Sequence, residues 1–312
     1  MLDNVLSMKM RLLVICLMFS IVAKAQQLPM YSQYFVNDFV INPAVAGSKP
    51  YFPLHLTVRN QWSSLGTIAP KTNTLSFHLP LAFNQLGVGA IVIQDKTGPY
   101  SQLIFNASFA YHLQLDRDNK TRLSLGLSGL INQYSLNFDE LEFNNPEPEF
   151  EGGIYSKVIP DASIGGYLYS TDYFVSLSSH QLFESTFKES ISSIFGDNNE
   201  VRHYFANMGY TFRILSDFHV EPSILIKATD SGPTQLDVNT RLIFDNAYWA
   251  GLSLRTSKSI IVVAGFELGR FLLSYSYDYG ISSISSASAG SHEISIGFNI
   301  NDIRNRRHSY YW

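Results

Sequence analysis

Cysteine is almost missing from this chain: one residue in 312, Cys16, and it falls inside an N-terminal leader. Residues 1–25 read as a secretory signal peptide. Lys9 and Arg11 form a basic start, "LLVICLMFSIVA" is an apolar stretch too short to cross a bilayer, and Ala23 to Ala25 ("AKA") offers small residues for cleavage before Gln26. Lipid attachment at Cys16 would need a small residue before it, and Ile15 is not small. From Gln26 onward there is no thiol, disulfide or cysteine metal site. Charge is scarce as well, at 15% of residues. Taking Lys9, Arg11, Lys24 and Asp3 away with the leader turns 22 basic and 26 acidic residues into 19 and 25, a balance that argues against a nucleic-acid surface. No later segment is long and apolar enough for a membrane helix. Nor is there a G-x-S-x-G, H-E-x-x-H, Walker-type or dinucleotide motif. His78, His112 and His219 sit singly on polar strand faces, so a hydrolase would need His219 or His292 to meet a serine and an acid in space. The expectation is a non-enzyme without cofactor or metal.

What the chain does have is period-two alternation, nearly everywhere after residue 52. Phe109, Tyr111, Leu113 and Leu115 alternate with Ala110, His112 and Gln114; after "DRDNK", Leu123, Leu125 and Leu127 alternate with Ser124, Gly126 and Ser128. The same pattern sets Leu54, Leu56 and Val58 against His55, Thr57 and Arg59, and Ile294, Ile296 and Phe298 against Glu293, Ser295 and Gly297. One face of each strand is apolar, the other polar or small. The spacing predicts about 14 strands, most of about 8–12 residues, the length a tilted membrane strand needs. Connections sort into two sets. Every long one (61–71, 138–159, 180–200, 280–290) falls in one set, and tight turns such as "STD", "LSD" and "DNA" fill the other. A soluble sandwich has no reason to sort its loops this way. The fold expected is an all-β, transmembrane, antiparallel up-and-down β-barrel over 52–300, with short periplasmic turns and longer extracellular loops. Aromatics at 14% would supply interfacial girdles, although they are also good strand formers.

The inward phase carries Arg59, Asp95, Glu221, Lys227, Asp237, Arg241, Arg255, Glu267, Asp278 and Glu293. Charges facing lipid would cost about 2–4 kcal/mol each near the midplane, so this phase is informative. It implies an interior ion-pair network that bridges the wall or holds a plug, or else a permeation path or ligand site. Residues 26–51 precede the first strand, and "INPAVAG" is unsuited to barrel wall because of Pro43 and Gly47. This arm lies in the lumen or covers the periplasmic mouth; at about 25 residues it is short for a full plug. The outer loops, with "FNNPEPEFEGG" and "SSIFGDNNE", read as solvated or partner-contact surface. Residues 301–312 form a basic, aromatic periplasmic tail, either a frayed end or a contact for another envelope protein.

The segment "YSQYFVNDFVINPAVAG" resembles the N-terminal signature of the PorP/SprF family, associated with type IX secretion in Bacteroidetes. "RNQWSSLGTIAPKTNTLSFHLPL", "LGVGAIVIQDKTGP" and "YSYDYGISSISSASAGSHEISIGFNI" are similar to its later blocks, in the same order, so the resemblance spans nearly the whole exported chain. Val45 is a departure, because an aromatic is expected within "NPAxAG". The resemblance implies a Gram-negative outer-membrane barrel with both termini periplasmic. It implies a partner of type IX components, of exported cargo or adhesin C-terminal domains, and of a periplasmic anchoring protein, serving secretion, surface retention or gliding. Tyr31, Gln33, Asn42, Pro43, Gly47, Trp62, Pro70, Gly98, Tyr277 and His292 are carried as family-like positions with structural roles, fixing the arm and closing the barrel seam; Arg59, Asp95, Asp278 and Glu293 belong with them. The alternative reading is a channel for small polar or hydrophobic solutes.

Overall fold

The computed structural model describes residues 28–81, 85–116, 121–140, 153–184, 200–230, 232–281 and 289–300. The leader at 1–25, the tail at 301–312 and both acidic loop stretches quoted above lie wholly or mostly outside the described residues.

The alternating sequence forms β1 (Phe52–Asn60), β2 (Lys71–Leu81), β3 (Leu86–Thr97), β4 (Tyr100–Gln114), β5 (Arg122–Asn137), β6 (Ile154–Tyr169), β7 (Tyr173–His180), β8 (His203–Tyr210), β9 (Phe212–Arg213), β10 (Phe218–Thr229), β11 (Gln235–Phe244), β12 (Tyr248–Arg255), β13 (Ser259–Leu268), β14 (Phe271–Gly280) and β15 (Ser291–Ile300). β8 and β9 are one stave interrupted at Thr211, since both pair with β10. Every other neighbour in sequence is an antiparallel neighbour in space, and β15 returns to β1 from Phe52↔Ile300 to Asn60↔His292. The result is a closed antiparallel barrel of 14 staves. Closure leaves no sheet edge between first and last strand, the condition for placing a sheet in hydrocarbon, where no water can satisfy an open backbone.

The side-chain phase follows the sequence. On β5, Leu125 and Leu127 are 55% and 57% exposed, while Ser124 and Ser128 on either side of them are buried. Phe77, Phe105, Phe109, Ile131, Leu242, Leu252, Tyr275 and Phe298 continue the apolar outer surface around the whole circumference. An apolar belt of this extent is a lipid-facing surface. Leu127→Arg should therefore destabilise the barrel by about 2–4 kcal/mol in vesicle-based urea unfolding, whereas Ser128→Ala on the same strand should be nearly silent. Equal effects at the two positions would remove the membrane assignment of that face.

Three strands depart from the expected lengths: β4 has 15 residues, and β5 and β6 have 16 each. The β5–β6 ladder runs unbroken from Arg122↔Tyr169 to Asn137↔Ile154, so the connection read as 138–159 ends where β6 resumes at Ile154. The upper part of this hairpin, with Ser135, Ser156 and Lys157, lacks the apolar alternation because the ladder extends past the apolar belt. Connections 61–70, 138–153, 181–202 and 281–290 leave from one rim, together with the short turns at 98–99, 230–234 and 256–258. The remaining six, all short, lie at the opposite rim.

Residues 28–51 run inside the barrel, and here the expectation of too short a plug fails. Leu28 lies in the long-connection half of the lumen, its N–H on His203 Nε2 at 3.4 Å. The arm then descends to Asn42–Ser48 near the short-turn rim and leads into β1. Two 3-10 turns, Asp38–Val40 and Pro43–Val45, compact it. Phe39, Ala44, Val45 and Ala46 pack against Ile91, Ile93, Ile104, Ala110, Leu130 and Tyr167 of the wall, and Tyr34 and Ile41 pack against Phe205 and Leu225. Full burial of Phe39, Ile41 or Val45 contributes about 1.5–3 kcal/mol each. Twenty-odd residues suffice because the wall itself projects large groups inward.

Candidate functional site

The candidate site is the filled lumen. At the short-turn end the arm meets a row of very small residues. Register places Gly87 opposite Ala110, Ala110 opposite Gly126, and Gly126 opposite Gly165, across four adjacent strands. A methyl group at Gly126 would overlap the Ala44 backbone, one at Gly87 the Ala46 carbonyl, and one at Gly165 the Asn42 side chain. The "NPAVAG" segment thus lies backbone-to-backbone on the wall. Asn42 caps its own turn, accepting from Ala44 N–H at 2.9 Å, and donates to Ser176 Oγ at 2.7 Å and Gly166 O at 3.0 Å. Gly47, at φ 74°, fits against Gly87, a left-handed conformation in a space that glycine alone fills without strain.

Neutral polar groups hold the arm's backbone along its length. His78 Nδ1 accepts from Gly47 N–H at 3.1 Å, while His112 and His180 donate to the Ala46 and Ile41 carbonyls at 2.8 Å each. Tyr169 donates to the other nitrogen of His112, fixing its tautomer. With His203 on Leu28, four of the seven histidines among the described residues bind arm backbone. Only His78 and His112 of these were singled out by sequence. His219 is buried on β10. His292 faces outward and is bonded to Tyr275 Oη at 2.7 Å, away from any lumenal serine.

Further toward the long-connection rim, charges take over. Arg59 Nη1 donates to Glu293 Oε2 at 3.0 Å and to Ser32 Oγ at 2.6 Å, and Nη2 donates to Asp278 Oδ2 at 2.7 Å. The Glu293 carboxylate accepts the arm's Ser32 and Gln33 N–H groups at 2.9 and 3.0 Å. Gln33 donates back to Glu293 O at 2.9 Å. Beside them Arg255 clasps Asp237 through Nε and Nη2 at 2.8–3.0 Å, and reaches Tyr31 O at 3.2 Å. Asp278 links the two groups, 3.8 Å from Arg255 Nη1.

All ten inward charges read from the sequence occupy lumen-facing positions, but they form separate groups and not one network. Arg59, Asp278, Glu293, Arg255 and Asp237 gather around Tyr31–Gln33. Lys227 stands apart on Leu28 O and above the Phe205 ring. Glu221 pairs with Arg241 at 2.7 Å nearer the short-turn rim, with Arg241 over the Phe35 ring. Asp95 bonds Thr72, and Glu267 bonds Asn299. The family-like positions divide in two. Tyr31, Gln33, Asn42, Pro43 and Gly47 belong to the arm. Trp62 (N–H to Ser291 Oγ, 3.1 Å), Pro70 (accepting from Gln61 N–H, 2.9 Å) and Tyr277 (donating to Ala289 O, 3.0 Å) tie connections at the rim beside the β1–β15 seam, and Gly98 turns β3 into β4 at φ 55°. Among the described residues, clefts of about 140 and 110 Å³ open at the short-turn mouth, flanking Phe35, Asp38, Lys49 and Arg241. Burial pushes the Asp38 carboxyl up, with Lys49 opposing.

A closed 14-stave barrel with a lipid-facing belt, its lumen occupied by its own N-terminal arm, is an outer-membrane barrel of the plugged kind. Residues 23–298 match the family described as type IX secretion system membrane protein PorP/SprF, and the chain belongs to that family. No curated protein sequence matches it. Among solved structures it is similar to the Acinetobacter baumannii outer membrane protein Omp33 (8% identity, TM-score 0.47, 81% of this chain and 100% of that one). It is also similar to the Ralstonia pickettii toluene transporter TbuX (10%, 0.47, 84% and 92%) and a Pseudomonas aeruginosa FadL homologue (7%, 0.46, 89% and 96%).

Proposed function

We propose that this barrel is a non-enzymatic docking component of type IX secretion, which helps to secrete, retain or anchor exported surface proteins through their C-terminal domains. The reading places the short-turn rim in the periplasm and the long connections outside. The observation that supports it is the filled lumen. Apolar packing, four histidines and a buried ion cluster hold residues 28–51 in place, so the surfaces left for work are the two rims and not a pore. A periplasmic anchoring partner would meet the mouth around Phe35, Asp38 and Lys49, and cargo would meet the long connections.

The test is direct. The full-length protein in planar bilayers should show no conductance steps above the lipid baseline. In cells, deletion of 141–152 or 186–198 should abolish display of type IX cargo while the barrel stays folded in the outer membrane. Steady conductance together with normal cargo display would favour the solute channel instead.

A further inference from the structure

β7 leaves the wall early. Its ladder with β6 runs only from Tyr169↔Phe174 to Ile164↔Ser179. Beyond it, the start of the 181–202 connection continues along β6: Leu182 N–H donates to Ala162 O at 3.1 Å and Phe183 N–H to Asp161 Oδ1 at 3.1 Å. The end of the same connection brings Glu200 back into the lumen, almost fully buried. Glu200 Oε1 accepts from Asn132 Nδ2 at 2.7 Å and from Tyr134 Oη at 2.6 Å. Asp161 Oδ1 accepts from Phe183 N–H and from its neighbour Ala162 N–H. Each acid thus has one oxygen satisfied. The other two, Glu200 Oε2 and Asp161 Oδ2, are sealed from water and have no donor among the described residues. Asp161 is the diagonal neighbour of Asn132 across the β5–β6 ladder (Leu130↔Asp161, Asn132↔Ile159), so Glu200, held on Asn132, is brought beside it.

Two acceptors side by side cannot both be ionised and bare. A divalent cation would need six to eight oxygens, usually including waters, and these oxygens are closed to water. A proton fits. We propose that Glu200 keeps its proton and donates it to Asp161, forming an acid latch that holds the base of the β7–β8 connection against the inner wall and releases it when the proton is lost. This goes beyond the docking role and does not depend on it.

The surroundings agree. Burial, reinforced by Asp161, pushes the Glu200 carboxyl up to about 7, against the lowering effect of the Tyr134 and Asn132 hydrogen bonds. Tyr134 and Asn132 face the pair from β5; Tyr100 from β4 packs on Tyr134 with Asp95 beyond it on β3; Lys157 stands opposite Tyr134 on β6; His180 ends β7. On the connection, Arg202 is directed to Leu182 O and Glu184, and His203 to Gln181 and Val201 O. An acid whose folded-state pKa is raised gives stability that is full below its ordinary value near 4.5 and is lost as pH rises to about 7. The latch is closed at pH 5.5 and open at pH 8.

Amide substitutions test this without altering shape. In Glu200→Gln the amide oxygen keeps Asn132 and Tyr134, and the NH2 donates to Asp161 permanently. Asp161→Asn does the same from the other side. Limited proteolysis at 181–184 and 200–202 in the full-length barrel should therefore rise with pH in the wild type, by up to about tenfold per unit between 5.5 and 7, and stay low to pH 8 in each single variant. The double variant sets two NH2 groups face to face and should be open at every pH. Infrared spectra of the wild type should show a protonated carboxyl that disappears near pH 7 and is absent from both single variants, a readout that stands even if the double variant does not fold. The proposal is overturned if the single variants keep the wild-type pH dependence, if either is as open at pH 5.5 as the double, or if calcium at pH 8 restores wild-type protection.

Discussion

Arg59→Met should lower the stability of the folded barrel by about 3–5 kcal/mol, the cost of removing one partner from a buried ion pair, and should free residues 28–34 from the wall. Arg59 is 2% exposed, and its guanidinium holds Glu293, Asp278 and Ser32 at once. Without it, Glu293 and Asp278 remain buried side by side, with Arg255 3.8 Å from one of them. Those two carboxylates are also what the arm grips, through the Ser32 and Gln33 N–H groups and the Ser32 hydroxyl. Arg59→Lys should recover only part of the loss, since an ammonium cannot reproduce a planar fork serving three acceptors. Urea unfolding in lipid vesicles gives the first quantity, and protease access to Tyr31–Tyr34 gives the second. A variant as stable as wild type with a protected arm would mean that the cluster is incidental to the plug.

Period two made the wall legible in the sequence. Each strand needs only its own alternation to declare which side faces lipid, so Arg59, Asp237 and Glu293 could be given their inward phase without a partner in view. The arm was legible only as something other than wall, because Pro43 and Gly47 exclude strand without saying where the segment goes. Its seat was hidden. Gly126 and Gly165 look like two more small residues on a small face until register sets them side by side with Ala110 and Gly87. The acid pair was hidden for a related reason: Glu200 sits in a stretch read as a loop, and Asp161 follows Pro160, where alternation is weak. Asn132, inward on β5 and directly followed in phase by Tyr134, was the one local hint that a polar partner lay opposite. Contacts between residues 39 to 261 positions apart, such as Asn37–Ser76 and Ser32–Glu293, are set by closure of the barrel. No window of sequence contains them.

The glycine row gives the second large effect. Gly126→Val should expel the "NPAVAG" segment and turn a closed barrel into a conducting one. Valine is a good strand residue, so β5 itself tolerates the change; the obstacle is the Ala44 backbone, into which the added Cβ would project. Backbone cannot yield by rotating a side chain, so relief comes from the arm leaving its seat. Ordinary overpacking costs about 1–3 kcal/mol, and here the displaced segment also gives up the Asn42 hydrogen bonds and the burial of Val45 and Phe39. Gly129, three residues along the same strand, is the matched control: it faces outward, and a Cβ there meets nothing within 4 Å. Gly129→Val should leave the barrel closed and at least as stable. Gly165→Leu, blocked by the Asn42 side chain, should behave like Gly126→Val but more mildly, because a side chain can move. Single-channel recordings in planar bilayers separate these outcomes. Closed traces from both Gly126→Val and Gly129→Val would mean that the arm does not depend on this seat, and that the ion cluster around Arg59 holds the plug unaided.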